Sequence, residues 1–426
     1  MEKKKEKCSE AFKKLSLITP GGVNSPFRSF REVGGETLFL SHGKESKVWD
    51  LDGQSYVDYL GAWGPAILGH AHPAVVKAAR KAVDSSAVLG LSSIWELEMA
   101  TLVQKAFPSM EMIRFVNSGA EAVESAIRLA RGATKRSKIV RFEGGYHGHG
   151  DSILWTYGPE ENHSPKESGV PQGLADETLI IPFNDSKGVK ELFRNREGEI
   201  AALLVEPVAG SMGVIPPVPG FLETCRKVTE EYGSVLIFDE VLTGFRIAFG
   251  GAQERYKIRA DLTCLGKILG GGLPAGGYGG RRDLMQHLAP LGPVYQAGTF
   301  SGNPVTMQAG IAAIQSLAHP KVYKQLELKT EKLLAGFREI ADRKEIPLQT
   351  PHVGSMFAIV FAVHPVKNFR ESLKIDGKRY SQFFHGMLEG GFLFPPSATD
   401  AAVLSIAHSE KEVEQTIRAF SKLQFT

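Results

Sequence analysis

One lysine lies in an otherwise uncharged stretch of the sequence. Lys267 is the single charged residue among the nineteen of positions 262–280. Its neighbours are apolar: Cys264, Leu265, Ile268 and Leu269. An amine among apolar side chains has a lowered pKa, so its neutral form can attack a carbonyl carbon. We therefore expect Lys267 to be a nucleophile that forms a Schiff base.

Acidic and aromatic residues follow two other apolar runs. The run at 235–238 leads into Asp239 and Glu240, and carboxylates at the end of a buried strand need a cation or hydrogen-bond donors. The run at 139–142 leads into EGGYHGHGD, where Tyr146 and His147 are placed to stack on a planar ligand. Both segments are candidate parts of one site.

A phosphate anchor is predicted after the run at 113–116. Asn117, Ser118 and Gly119 follow this run and precede a predicted helix. The free N–H groups at a helix N-terminus can bind a phosphate. A serine that only caps the helix explains the same residues, so this segment leaves both interpretations open.

The histidines admit a different chemistry. His147, His149 and Asp151 lie close in sequence, and with His70 and His72 they could ligate zinc in a metal-dependent hydrolase. A polar loop whose histidines are satisfied by hydrogen bonds is the third interpretation. Elemental analysis and the colour of the purified protein distinguish the hydrolase from the other possibilities.

Lysine, acid, aromatic ring and phosphate anchor together fit one common cofactor. Pyridoxal phosphate needs a lysine for its aldehyde, an acid that keeps its ring nitrogen protonated and a site for its phosphate. We therefore predict pyridoxal phosphate as the cofactor and no metal. A non-catalytic binding protein has no use for a desolvated lysine.

An alternation of strands and helices must position these residues. Nearly all-apolar runs, typical of strands buried on both faces, occur at 113–116, 139–142, 201–205, 235–238 and 262–265. Helices are predicted at 121–131 and 221–232. Ligands of parallel sheets bind beyond the carboxyl ends of the strands, where the candidate residues lie. The fold class is therefore α/β, with a large, mostly parallel sheet.

The two ends of the chain have different patterns. Residues 1–60 form a predicted N-terminal segment that contains a hairpin, and residues 61–311 form the large cofactor-binding domain. Residues 312–426 form a smaller α+β domain, with helices near 322–344 and 410–423 and a strand in GSMFAIVFAV at 354–363.

Composition excludes several classes of protein. The 426 residues contain 50 Lys plus Arg and 47 Asp plus Glu, a formal net charge of +3, which is too even for a nucleic-acid surface. No uncharged apolar stretch is long enough to cross a membrane. Three cysteines without CxxC spacing and the lack of a signal-peptide pattern lead us to expect a cytoplasmic protein.

Motifs along almost the whole chain resemble one enzyme family. They are GGVNSPFR, GAWGPAILGHAHP, RFVNSG, YHGH, EPVAG, FDEVLTGFR, LGKILGGGLPAGGYGGRRD and LGPVYQAGTFSGNP. The chain resembles the glutamate-1-semialdehyde 2,1-aminomutases, a family within the class III, fold-type I pyridoxal-phosphate aminotransferases. The resemblance implies a homodimer that converts glutamate-1-semialdehyde to 5-aminolevulinate, the tetrapyrrole precursor. It leaves open whether the chain transiently contacts the enzyme that supplies the aldehyde.

The same resemblance implies roles for cofactor-binding residues. Lys267 would bond covalently to the cofactor, Asp239 would pair with its ring nitrogen, and Tyr146 would stack on the ring near His147. The other implied cofactor contacts are Ser118, Gly119, Ala120, Ser211 and, from the second subunit, Thr299.

Substrate contacts are implied in the same way. Arg28, supported by Ser25, would bind the substrate carboxylate, for which a planar guanidinium is suited. Trp63 and Tyr295 would line the pocket, Asp400 would face it, and residues 157–182 would form a lid.

Four positions depart from the family pattern. Ala120 replaces a usual Thr, Ser211 a usual Asn, Asp400 a usual Glu, and Glu167 a usual Ser. These departures bear on substrate and rate more than on the cofactor. The alternative is therefore a class III aminotransferase, or a related aminomutase, that acts on another small amino acid or amino aldehyde.

Overall fold

The computed structural model describes residues 6–154 and 169–425. Its strands are β1 (Leu40–Lys44), β2 (Lys47–Asp50), β3 (Ser55–Asp58), β4 (Met112–Val116), β5 (Lys138–Phe142), β6 (Thr178–Ile181), β7 (Ile200–Val205), β8 (Val235–Asp239), β9 (Leu262–Gly266), β10 (Gly276–Gly280), β11 (His352–Val353), β12 (Met356–Phe357), β13 (Phe392–Leu393) and β14 (Ala402–Val403).

The helices are α1 (Glu6–Ser16), α2 (Pro73–Ser85), α3 (Ile94–Ala106), α4 (Gly119–Thr134), α5 (Gln172–Ala175), α6 (Ser186–Asn195), α7 (Phe221–Glu231), α8 (Gly251–Tyr256), α9 (Arg282–Met285), α10 (Pro304–Leu317), α11 (Lys321–Arg343), α12 (Phe369–Ser372), α13 (Gly377–Glu389) and α14 (Glu410–Lys422). Within the described ranges, none of these helices has the length and apolar character needed to cross a membrane.

The chain divides into two compact units. The sheet unit comprises Pro73–Tyr323 and Lys367–Leu373, and the terminal unit comprises the described parts of Met1–His72, Lys324–Val366 and Lys374–Thr426. The predicted domain limits lie at 60/61 and 311/312, whereas the units meet at 72/73 and 323/324. The N-terminal segment thus shares a unit with the C-terminal part of the chain.

A seven-stranded sheet forms the centre of the sheet unit. Its strand order is β4-β10-β9-β8-β7-β5-β6, and neighbouring strands are parallel except where β10 pairs antiparallel with β4 and β9. All residues of β7, β8 and β9 are buried, which explains their continuous apolar sequences. The prediction of an α/β fold with a mostly parallel sheet is confirmed.

Strand β10 consists of four glycines and one tyrosine. A Cβ atom at Gly276 would collide with the carbonyl oxygen of Ser118, and one at Gly280 would collide with the carbonyl oxygen of Asp261. Neighbouring backbone lies so close to these positions that only glycine fits, although glycine normally weakens a strand. Because β10 has no apolar run, its sequence did not predict a strand.

The terminal unit contains two small sheets, ordered β1-β2-β3-β13 and β11-β12-β14. The run 354–363, predicted as one strand, is largely buried, but its only named strand is β12. Aromatic rings fill the core of this unit, and Phe337 and Phe420 stack with their ring centroids 4.4 Å apart. Helices α11 and α14 lie within two residues of their predicted limits.

Candidate active site

The ends of four strands bring the predicted cofactor residues to one edge of the seven-stranded sheet. Gly276, which begins β10, pairs with Val116 at the end of β4 and with Gly266 at the end of β9. Asp239, which ends β8, pairs with Cys264 of β9. Because Ser118 follows β4 and Lys267 follows β9, the predicted phosphate anchor, acid and lysine share this edge.

Asp239 has the hydrogen-bond donors that its burial requires. Its Oδ2 lies 2.7 Å from Nδ1 of His147, and its Oδ1 accepts a hydrogen bond from the N–H of Val241 at 3.0 Å. Both side chains of the Asp239–His147 pair are almost inaccessible to solvent. An acid held in place by two donors at this end of the sheet is suited to pair with the ring nitrogen of the cofactor.

Glu240, the adjacent carboxylate, has different partners. It accepts hydrogen bonds from Oγ1 of Thr243 at 2.9 Å, from the N–H of Ala252 at 2.6 Å and from the N–H of Gln253 at 3.1 Å. Burial raises the pKa of Glu240 to about 7, although these hydrogen bonds oppose the shift. Glu240 therefore supports the segment after β8 and is not bonded to the Asp239–His147 pair.

Lys267 has an unusual backbone conformation. Its φ angle is +47°, in the left-handed region that residues other than glycine rarely adopt, and it begins the 3₁₀ helix Lys267–Gly270. The residue is half-buried, whereas the residues on both sides of it are buried. Strained conformations of this kind concentrate at functional sites, and Lys267 has one at the sheet edge that carries Asp239.

The N-terminus of α4 carries the predicted phosphate anchor. Ser118 caps the helix, because its Oγ accepts a hydrogen bond from the N–H of Glu121 at 3.1 Å. Among the described residues, none accepts a hydrogen bond from the N–H groups of Gly119 or Ala120. Both groups are thus available to a phosphate beside the buried Asp239 and the strained Lys267, and the set fits pyridoxal phosphate.

Tyr146 lies in the loop after β5 and is half-buried. Burial, with the negative charge of Asp239, raises the pKa of its phenol. Its backbone N–H donates a hydrogen bond to Oε2 of Glu206 at 3.1 Å. Glu206 follows β7 and was missed as a site residue, although it comes directly after a buried apolar run, as Asp239 does.

The remaining predicted residues of the sheet unit lie in loops. Ser211 is half-buried in the turn closed by the bridge between Ala209 and Ile215. Tyr295 and Thr299 are exposed, and 71% of the Tyr295 surface is accessible. The exposure of Thr299 is compatible with its predicted contribution to a second subunit.

The predicted lid is only partly described. Residues 157–168, including Glu167, lie outside the described residues. Residues 172–175 form α5 and residues 178–181 form β6, which pairs with β5. The last part of the predicted lid is therefore an edge strand of the sheet.

The predicted substrate residues Ser25, Arg28, Trp63 and Asp400 lie in the terminal unit. Arg28 ends the 3₁₀ helix Pro26–Arg28 and is exposed, and the half-buried Ser25 precedes this helix. The ring of Phe27 packs against Trp63, with the centroids 5.5 Å apart, so the segments carrying Arg28 and Trp63 are in contact.

Asp400 is half-buried near Tyr380. The pKa of the Tyr380 phenol is raised well above its ordinary value, mainly by burial and further by the negative charges of Asp400 and Glu32. Nearby in the same unit, Gly61 lies against the side chain of Val403, with which a Cβ atom at Gly61 would collide.

The histidines do not form the predicted alternative zinc site. Nε2 of His70 lies 2.6 Å from Oδ2 of Asp58, and His147 is bonded to Asp239. Among the residues that the structure describes, the one group of three side chains close enough to share a metal is Cys8, Asp50 and Asp52, which contains no histidine.

Comparisons with known proteins agree with this geometry. Residues 30–410 match the family described as Aminotransferase class-III, and the chain belongs to this family. The glutamate-1-semialdehyde 2,1-aminomutase of Desulfitobacterium hafniense (strain DSM 10664 / DCB-2) is 48% identical to it over 97% of this chain and 96% of that protein. The protein of the same name from Thermodesulfovibrio yellowstonii is 47% identical over 99% of each chain.

Solved structures show the same fold. The omega-transaminase from Sphaerobacter thermophilus is similar with a TM-score of 0.91 and 31% identity, covering 97% of this chain and 96% of that one. The glutamate-1-semialdehyde aminomutase from Pseudomonas aeruginosa PAO1 has a TM-score of 0.87 and 23% identity, covering 98% and 93%, and is similar in fold. The predicted family resemblance is confirmed.

Proposed function

We propose that the chain is a pyridoxal-phosphate-dependent glutamate-1-semialdehyde 2,1-aminomutase, an isomerase that makes 5-aminolevulinate for tetrapyrrole (porphyrin) biosynthesis. The observation that carries this proposal is the 48% identity to a protein of that name over 97% of the chain. Lys267, Asp239 and the N-terminus of α4 supply the chemistry that the cofactor needs. These relatives favour the aminomutase over an aminotransferase acting on another small amino acid or amino aldehyde.

Each residue of the sheet edge has a defined task. When bound, pyridoxal phosphate supplies an amine carrier and an electron sink. Lys267 would hold the cofactor covalently before the substrate binds. Once the substrate has displaced it, its free Nζ amine would accept and return protons at the carbons that lose and gain the amino group. Asp239, kept in place by His147, would keep the ring nitrogen protonated. Tyr146 would cover one face of the ring.

The phosphate and the substrate would be held by separate groups. Ser118, Gly119 and Ala120 would bind the phosphate through α4, together with Thr299 of a second subunit, and Ser211 would lie near the ring hydroxyl. Arg28, with Ser25, would bind the substrate carboxylate as a two-pronged donor. Trp63, Tyr295 and Asp400 would border the substrate.

We infer that the protein works as a cytoplasmic homodimer. Exposed apolar side chains cluster in two segments of the sheet unit, 88–97 and 291–300, and they include Leu91, which is 87% exposed, and Leu291, which is 67% exposed. Exposed apolar patches of this kind mark protein interfaces. All three cysteines are free and buried, as expected for a reducing compartment.

Product formation without an amino acceptor tests the proposed function. Glutamate-1-semialdehyde is supplied as the sole substrate, and 5-aminolevulinate and residual aldehyde are measured. An aminomutase converts the aldehyde to an equal amount of 5-aminolevulinate. The Lys267→Ala variant is expected to form none. A protein that makes no 5-aminolevulinate but transfers amino groups from other amines to 2-oxo acids is the aminotransferase instead.

A further inference from the structure

One peptide group beside the site is held between the side chains of a buried glutamate and a buried arginine. The peptide that joins Gly145 to Tyr146 donates its N–H to Oε2 of Glu206 at 3.1 Å. Its carbonyl oxygen accepts a hydrogen bond from Nη1 of Arg141 at 3.0 Å. A carboxylate at the N–H and a guanidinium at the C=O match the dipole of the peptide, and charge-assisted hydrogen bonds are the stronger ones.

The same carboxylate reaches a second loop of the site. Oε1 of Glu206 accepts a hydrogen bond from the N–H of Gly210 at 3.4 Å, next to Ser211. Glu206 thus joins the loop that carries Tyr146 to the turn that carries Ser211. Both oxygens of the Glu206 side chain therefore accept a hydrogen bond. A carboxylate has two acceptor oxygens, whereas a carboxamide of the same shape has only one.

We propose that Glu206 is a positioning residue, whose carboxylate, together with Arg141, fixes the peptide before Tyr146 and thereby sets the tyrosine against the cofactor ring. This inference rests on the proposed cofactor site. It concerns the affinity for pyridoxal phosphate rather than a step of the reaction.

Glu206 and Arg141 are both buried, and burial acts on the charge of each. Burial raises the pKa of Glu206 to about 7, with His147 lowering it and Asp239 raising it. Burial lowers the pKa of Arg141 to about 10, and Glu206 opposes that change. Arg141 is fully buried, and its Nε and Nη2 atoms have no hydrogen-bond partner among the described residues. Loss of the charge of Glu206 would leave a buried guanidinium poorly compensated.

Two substitutions separate charge from shape. Glu206→Gln keeps the shape but removes the charge and one acceptor, whereas Glu206→Asp keeps the charge but shortens the side chain. If charge positions the peptide, Glu206→Gln raises the dissociation constant for pyridoxal phosphate by roughly 10- to 100-fold, and Glu206→Asp raises it less. If Glu206 only fills space, the order of the two variants is reversed.

Glu240 offers a matched control. Glu240 is also buried, with its pKa raised to about 7, and it follows the neighbouring strand, but its partners are Thr243, Ala252 and Gln253. Glu240→Gln is expected to lower the free energy of unfolding of the apoprotein while changing the dissociation constant by less than about threefold. Equal effects of Glu206→Gln and Glu240→Gln on affinity would overturn the inference.

A double-mutant cycle tests whether Glu206 acts through Tyr146. Dissociation constants are measured by absorbance titration of apoproteins whose folding is checked by circular dichroism. In a Tyr146→Ala background, Glu206→Gln is expected to change the constant by less than about threefold, and an undiminished effect would overturn the inference. If Glu206→Gln does not fold, the cycle is run with Glu206→Asp under the same criterion. Failure of the wild-type protein to bind the cofactor would refute the proposed function instead.

Discussion

The burial of His408 leads us to expect that the terminal unit becomes less stable at acidic pH. The residue is 2% exposed, and its Nδ1 accepts a hydrogen bond from the N–H of Ser405 at 3.1 Å. Its ring packs against Tyr59, with the centroids 4.8 Å apart. Burial lowers the pKa of His408 from about 6.5 to about 4. Protonation would also remove the acceptor that Ser405 uses.

The size and sign of the effect follow from the two pKa values. The difference between about 4 in the folded chain and about 6.5 in the unfolded chain corresponds to about 3 kcal/mol. Because the folded state binds this proton less tightly, the contribution of His408 to stability is complete above pH about 6.5. It is lost progressively as the pH falls towards 4.

The variant His408→Asn isolates this contribution, since its carboxamide oxygen can accept the same hydrogen bond but does not titrate. Free energies of unfolding are measured by urea titration between pH 4 and 8. At pH 8 we expect the variant to be less stable, because it loses the packing of the ring. As the pH falls, the difference should move by about 3 kcal/mol in favour of the variant.

The contributions of other titrating groups to the pH dependence cancel when the variant is compared with the wild type. Glu206 and Glu240 have raised pKa values, so each of them favours the folded state at low pH, opposite in sign to His408. Both are present in the wild type and in the variant. A difference between the two proteins that does not change with pH would refute the reasoning about His408.

Two further predictions concern the site and the thiols. Ala120→Thr restores a hydroxyl at the N-terminus of α4 and is expected to lower the dissociation constant for pyridoxal phosphate by roughly 2- to 13-fold. Ala120→Val, which has the same shape without the hydroxyl, serves as the control, and equal changes in both variants would contradict a hydrogen bond. Burial raises the thiol pKa of Cys8, Cys225 and Cys264, so Ellman's reagent should label less than one thiol per native chain and all three in urea. Rapid labelling of the native protein would contradict the burial of the three thiols.

Apolar continuity made most of the sheet predictable. Strands β7, β8 and β9 are buried throughout and carry uninterrupted apolar runs. Strand β10 has no such apolar run. Its glycines are needed because neighbouring backbone lies too close for a side chain, and this closeness exists only in the folded chain. Residues 178–181 were assigned to a lid because the segment before them is rich in turn-forming residues.

The candidate site was predictable to different degrees. Lys267 and Asp239 stand out because charged side chains follow buried strands. Glu206 carries the same signal, but its link to Tyr146 runs through a backbone N–H that the sequence cannot reveal. Arg28 was predictable only from the family resemblance, because an exposed arginine in a turn has no distinguishing pattern.

The absorbance spectrum of the purified protein, before and after addition of glutamate-1-semialdehyde, tests the aminomutase assignment most directly. We predict a cofactor band that shifts between its aldehyde and amine forms while 5-aminolevulinate appears, and the same cofactor without product in Lys267→Ala. A cofactor band with no product in the wild type would contradict the assignment and point to another amino substrate. A colourless protein with stoichiometric metal would contradict the cofactor as well.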